Sequence, residues 1–112
     1  MKIRTSDLDN ETIVIEVEKG DTGDVVEMLD SKENGFAIFG EGVDIPMAVV
    51  DGRLFTHDWF TADHLIAIEA HELGHIRMQT IDESTAEKEG IRLLKLNNLD
   101  DAAELLISRG IA

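Results

Sequence analysis

Residues 70–75 read Ala70-His71-Glu72-Leu73-Gly74-His75. Two histidines four residues apart, with a glutamate directly after the first, form the HExxH spacing. On a helix, positions four apart lie one turn above each other on a single face, so the His71 and His75 imidazoles can grip one metal ion. Glu72 then sits where a general base toward an activated water belongs. The flanks predict a buried helix, because Leu65, Ile66, Ile68, Ala70, Leu73 and Ile76 supply apolar positions around the motif. Thr61 is a candidate N-cap, Asp63 favours the positive end of the helix dipole, and the helix runs to about Met78. Gly74 inside it costs roughly 1 kcal/mol relative to Ala, which points to close approach of another backbone.

Upstream, residues 11–18 are rich in β-branched side chains and predict a strand. A turn at Gly20 to Gly23 precedes a short helix over 24–32, where Val25, Val26, Met28 and Leu29 recur at helical spacing. Asn34-Gly35 breaks that helix. Phe36 to Phe39 predicts a short strand, and 45–50 another, with Pro46 placing it at a sheet edge or a strand start. Asp51-Gly52 signals a hairpin, with Arg53 to His57 as its returning strand. Downstream, a turn near Thr80 to Asp82 leads to a helix over 84–96. Asn97-Asn98 ends it, and Asp100 caps a last helix that stops at Gly110. The expected architecture is a single α+β domain over 1–112: a small, mostly antiparallel sheet, then the motif helix and two further helices.

Charge and composition narrow the function classes. With 24 acids against 10 bases the formal net charge is −14, which argues against nucleic-acid binding, since that needs a basic footprint. An acidic field attracts cations and basic peptides instead. The chain has no cysteine, so neither a disulfide framework nor a thiolate metal ligand exists. The opening Met1-Lys2-Ile3-Arg4-Thr5 leads into acids rather than an apolar segment, and no apolar run approaches the ~20 residues of a membrane helix. A cytoplasmic protein without membrane attachment is expected.

A catalytic zinc takes three protein ligands and keeps a fourth position open. A third histidine six residues after the second would fall at Ile81, and a cysteine ligand is ruled out by composition. A glutamate from the following helix remains. Glu87 lies nearly two turns into that helix, close to the level of the histidine pair, and is the expected ligand. Glu83, one turn earlier, is the alternative ligand or an outer partner of His75. Ser84-Thr85-Ala86-Glu87 also reads as a capping box, a purely structural use of Glu87. His64 shares the motif face about 10 Å away along the axis, and His57 ends the expected hairpin; both are candidates to line a cleft.

Residues 70–75 together with 87–94, Glu-Lys-Glu-Gly-Ile-Arg-Leu-Leu, resemble the gluzincin clan of metallopeptidases. The second segment is similar to the Glu-x-Glu-Ala-Asp/Asn-Arg pattern of small zinc peptidases, including the repressor-cleaving type of phages and mobile elements. Gly90 stands where that pattern has Ala, and Ile91 where it has Asp or Asn. The resemblance implies a zincin-like fold with one zinc ion on His71, His75 and Glu87, and Glu72 as general base. A second register, matching the Glu-x-x-x-Asp of thermolysin-like enzymes, makes Glu83 the ligand and Glu87 the acid behind it. It also implies that an edge strand above the motif helix holds an extended peptide, and the Asp51-Gly52 hairpin is the candidate. The chain has no Tyr, so His57, His64 or Arg92 would replace the phenol that often steadies the oxyanion, or the zinc would act alone. The expected function is a zinc-dependent peptidase acting on a peptide or protein. The rivals are a metal-binding module without turnover and an interaction protein carrying a chance motif.

Overall fold

The computed structural model describes residues 1–32 and 34–109. It is α+β. A four-stranded sheet is built from β1 (Lys2–Thr5), β2 (Ile13–Val17), β3 (Gly35–Ile38) and β4 (Met47–Asp51), in the order β1-β2-β4-β3. β2 and β4 pair in parallel, while β1–β2 and β3–β4 are antiparallel. The sheet is thus mixed but mostly antiparallel. Helix α1 (Asp24–Asp30) follows β2, and α2 (Ala62–Met78), α3 (Glu83–Leu96) and α4 (Asp100–Arg109) follow β4.

Alternation along the strands sends side chains to two opposite faces. Ile15, Val17, Phe36 and Val49 meet Val26 and Leu29 of α1. Val14, Ala48 and Val50 meet Leu65, Ile68, Leu73 and Ile76 of α2. Beyond α2, Ala67 and Ala70 pack on Leu94 of α3 and Ala102, Ala103 and Leu106 of α4. The motif helix is therefore central, with sheet on one side and helices on the other, which fixes its histidines between two rigid layers.

The expected close approach at Gly74 is present. A Cβ there would lie 1.9 Å from the Ala86 carbonyl oxygen. A Cβ at Gly90 would lie 2.8 Å from that of Ala70, so α2 and α3 touch backbone to backbone along two glycines. Thr61 caps α2 as its spacing predicts, accepting from the His64 backbone N–H at 3.4 Å. In α3 the cap is Asp82, whose carboxylate accepts from the Thr85 N–H. The expected Ser84–Glu87 box does not form, because the helix starts one residue earlier and Asp82 already holds its first turn.

One expectation about the sheet is corrected. Asp51-Gly52 is not a hairpin. The Asp51 carboxylate accepts from the Arg53 N–H and guanidinium, Arg53 also reaches Asp30, and residues Gly52–Thr56 form a 3-10 helix. β4 already has β2 and β3 on its two sides, so no edge remains for a returning strand at 53–57. The open edge next to α2 is β3. The structure also adds β1, which sequence alone does not suggest. Its Arg4 reaches Glu69 of α2 at 2.6 Å and Glu16 at 2.8 Å, and Glu69 also accepts from the Ser6 hydroxyl at 2.6 Å. Glu69 is 1% exposed. Glu69→Ala is expected to cost roughly 2–3 kcal/mol in chemical denaturation. That is below the 3–5 of a fully buried pair, because Arg4 keeps Glu16 and some solvent.

Pro46 immediately precedes β4, so the strand-start reading holds. The end of the last helix at Gly110 lies outside the described residues. Among the described residues no helix is long and apolar enough to cross a membrane.

Candidate metal centre

α2 places His71 and His75 one turn apart, their rings 5.0 Å between centroids and nearly perpendicular. Glu83, the first residue of α3, folds back over them. Its Oε2 accepts from His71 Nε2 at 2.7 Å, and its Oε1 lies 3.3 Å from His75 Nε2. One ligand atom from each of the three residues lies within 4.8 Å of the others. The imidazoles are buried, while the Glu83 side chain is 62% exposed, so the cluster opens to solvent on the Glu83 side.

The donor set fits a divalent ion of the zinc type. Two nitrogens and a carboxylate are ordinary zinc ligands, and ligands ~2.0–2.1 Å from a tetrahedral ion stand about 3.3 Å apart. Protonation sharpens the fit. His75 Nδ1 donates to the Thr80 carbonyl at 2.7 Å; in the neutral ring that a metal ligand requires, Nε2 then carries a lone pair facing a carboxylate oxygen, an acceptor against an acceptor. A cation between them turns that contact attractive. His71 Nδ1 and Glu87 Oε1 are both buried without a hydrogen-bond partner. A His71 ring whose Nε2 held an ion would carry its proton on Nδ1, where it would be a donor for a carboxylate. Burial, the largest cause, lowers the His71 pKa against the opposing pull of Glu83, leaving the ring neutral as a ligand must be.

Of the two candidate third ligands, the structure brings Glu83 to the histidine pair. Glu87 is outside the group; its carboxylate acts on His71 through charge. Level along α3 accounts for this, because residues four apart share one face. Glu87 lies at the level of Ala86 and Gly90, where α3 touches α2, and one of its oxygens is buried there. Glu83 stays at the rim, where the imidazole tips emerge. Glu83→Ala is expected to lower zinc affinity by two orders of magnitude or more, and Glu87→Gln by about 10–100-fold. Competition with a chromophoric chelator reads both.

Glu72 lines the same cleft as the three candidate ligands. It is 5% exposed, and its Oε2 stands 3.3 Å from where a Gly35 Cβ would be. Gly35 thus makes room for this carboxylate between β3 and α2. Burial first, and the Glu83 charge second, push the Glu72 pKa up to about 8. The cleft encloses about 530 Å³ and runs along β3. Phe39 stacks on His75 at 6.4 Å.

His57 and His64 do not line this cleft. His57 is exposed and stacks on Trp59, and His64 is buried and bonded to Thr61 at the start of α2. Arg92 is tied to Glu89. The Thr80 carbonyl and Gly35 carry no side-chain signal that sequence could reveal; Asn34-Gly35 reads only as a break. Set against protein-family models, curated proteins and solved structures, the chain matches none of them.

Proposed function

We propose that this chain is a single-zinc peptidase of gluzincin type, with His71, His75 and Glu83 as ligands, Glu87 behind His71, and Glu72 as general base. The observation that carries the reading is the convergence of three ligand atoms beside the buried Glu72 carboxylate, along an open sheet edge. A bound zinc ion supplies Lewis-acid chemistry, polarising a carbonyl and making water acidic enough to ionise near neutral pH. The Glu72 carboxylate takes the proton of the attacking water and returns it to the leaving amine. His75 is held in its ligating tautomer by Thr80, while Glu87 acts on His71 through charge.

β3 is the element to hold an extended peptide. The Asp51 N–H donates to the Asn34 carbonyl, which makes 34 and 51 a hydrogen-bonded pair. By alternation 36/49 and 38/47 are bonded pairs too, and Gly35 and Ala37 turn their N–H and C=O to the open edge. A peptide adding there continues the sheet and lies across Glu72 and the ligand cluster.

The test is incubation of zinc-reconstituted protein with a blocked-peptide library and mass-spectrometric detection of new termini. Cleavage lost on chelation and restored by zinc is expected; a library left intact at every zinc concentration contradicts the reading. Zinc at 100 times its dissociation constant is further expected to stabilise the fold by about 2.7 kcal/mol, and His71→Ala to abolish that gain. A non-catalytic metal module is favoured by one observation: the ligands come from two helices, so an ion would join α2 to α3. In that case Glu72→Gln has no catalytic consequence.

A further inference from the structure

The cleft straddles β3, so it has two walls on opposite faces of the sheet. His71, Glu72 and His75 approach from the α2 face, while Phe36, Met28 and Lys32 approach from the α1 face. A peptide strand added to β3 sends alternate side chains to each face. Those on the α2 face meet the chemistry, and those on the α1 face meet residues that have no part in it. Met28 is 50% exposed, although the same helix buries Val26 and Leu29. Lys32, one turn further on, is the only Lys or Arg lining the cleft among the described residues, in a chain of net charge −14. The Lys32 N–H bonds back to the Leu29 carbonyl at 3.0 Å, which continues the helical turn. Four helical residues rise about 6 Å, close to the ~6.7 Å between same-face residues of a strand.

Building on the peptidase reading, we propose that α1 is a specificity wall: it selects an extended peptide with a bulky apolar residue facing Met28 and Phe36, and an acidic residue two positions away facing Lys32. The field of the protein disfavours acidic residues elsewhere along the cleft, so Lys32 makes the preference local.

The test uses zinc-loaded Glu72→Gln protein as a non-cleaving binder and dye-labelled, blocked nonapeptides in which one position is apolar or Ala and the position two away is Glu, Gln or Lys. Fluorescence anisotropy reads affinity. The apolar, Glu-bearing peptide is expected to bind best. Met28→Ala weakens it about tenfold while leaving its Ala counterpart unchanged. Lys32→Glu reverses the Glu-over-Lys preference, by about threefold in each direction. Both side chains are exposed, so the fold is untouched. Binding without positional preference, binding indifferent to both substitutions, or no binding at all overturns the proposal. The two readings separate cleanly. Cleavage by wild-type protein without this preference removes the α1 wall and leaves the peptidase; selective binding without cleavage removes the peptidase and leaves the wall.

Discussion

Glu72→Gln is expected to lower turnover by about 10²–10⁴-fold while zinc content stays at one ion per chain. The range is what a positioned general base contributes, and zinc is retained because Glu72 is outside the ligand cluster. The same substitution carries a stability signature of opposite sign. In the metal-free protein burial, aided by the Glu83 charge, raises the Glu72 pKa to about 8 from an ordinary 4.5. Between those values the folded state keeps a proton that the unfolded state has released, so stability falls as pH rises through the window, by about 1.4 kcal/mol per pH unit. The Gln variant has no such proton. Metal-free Glu72→Gln is therefore expected to be more stable than wild type at pH 8, with the difference closing toward pH 4.5. Urea denaturation at three pH values reads this. Equal stability at pH 8 would show that the carboxylate is not confined as described, and full turnover in the variant would end its role as base.

Gly74→Ala is expected to be the most damaging single methyl group in the chain. Its Cβ would lie 1.9 Å from the Ala86 carbonyl oxygen and 2.6 Å from the carbonyl carbon. Both obstacles are backbone, so no rotamer change relieves them, and α3 has to move by more than an ångström. Overpacking of buried sites costs about 1–3 kcal/mol when side chains can yield; here the loss should exceed that range, against a gain of only ~1 kcal/mol in helix propensity. The displaced helix carries Glu83 and Glu87, so zinc affinity should fall together with stability. Gly90→Ala, with its nearest contact at 2.8 Å, should cost less. A Gly74→Ala protein with wild-type denaturation midpoint and zinc affinity would contradict the packing of α2 on α3.

The helical half of the fold was legible because its signals are local. Thr61, the apolar period through Ile76 and the cost of Gly74 all act within a few residues or name a neighbour by the space they leave. The sheet was less legible because its determinants are distant. Lys2-Ile3-Arg4-Thr5 becomes a strand through Glu16 and through Glu69, 65 residues beyond Arg4. Asp51-Gly52 has the composition of a hairpin turn. It is decided instead by Arg53 reaching Asp30, and by Gly52, where a Cβ would lie 2.7 Å from the Val17 carbonyl. The candidate site divides in the same way. His71, Glu72 and His75 are fixed by spacing on one helix. Glu83 and Glu87 share one face of α3, so the choice between them depends on where α3 begins and how its first turn meets α2, which the length of an assumed turn does not give.

The proposed chemistry stands on one divalent ion held by His71, His75 and Glu83. A crystal structure of the zinc-loaded protein reads its position. Expected is one ion about 2.0–2.2 Å from both Nε2 atoms and a Glu83 carboxylate oxygen, with Glu87 against His71 Nδ1 and one coordination position open. An ion bound elsewhere, or no ion at stoichiometric zinc, would contradict it.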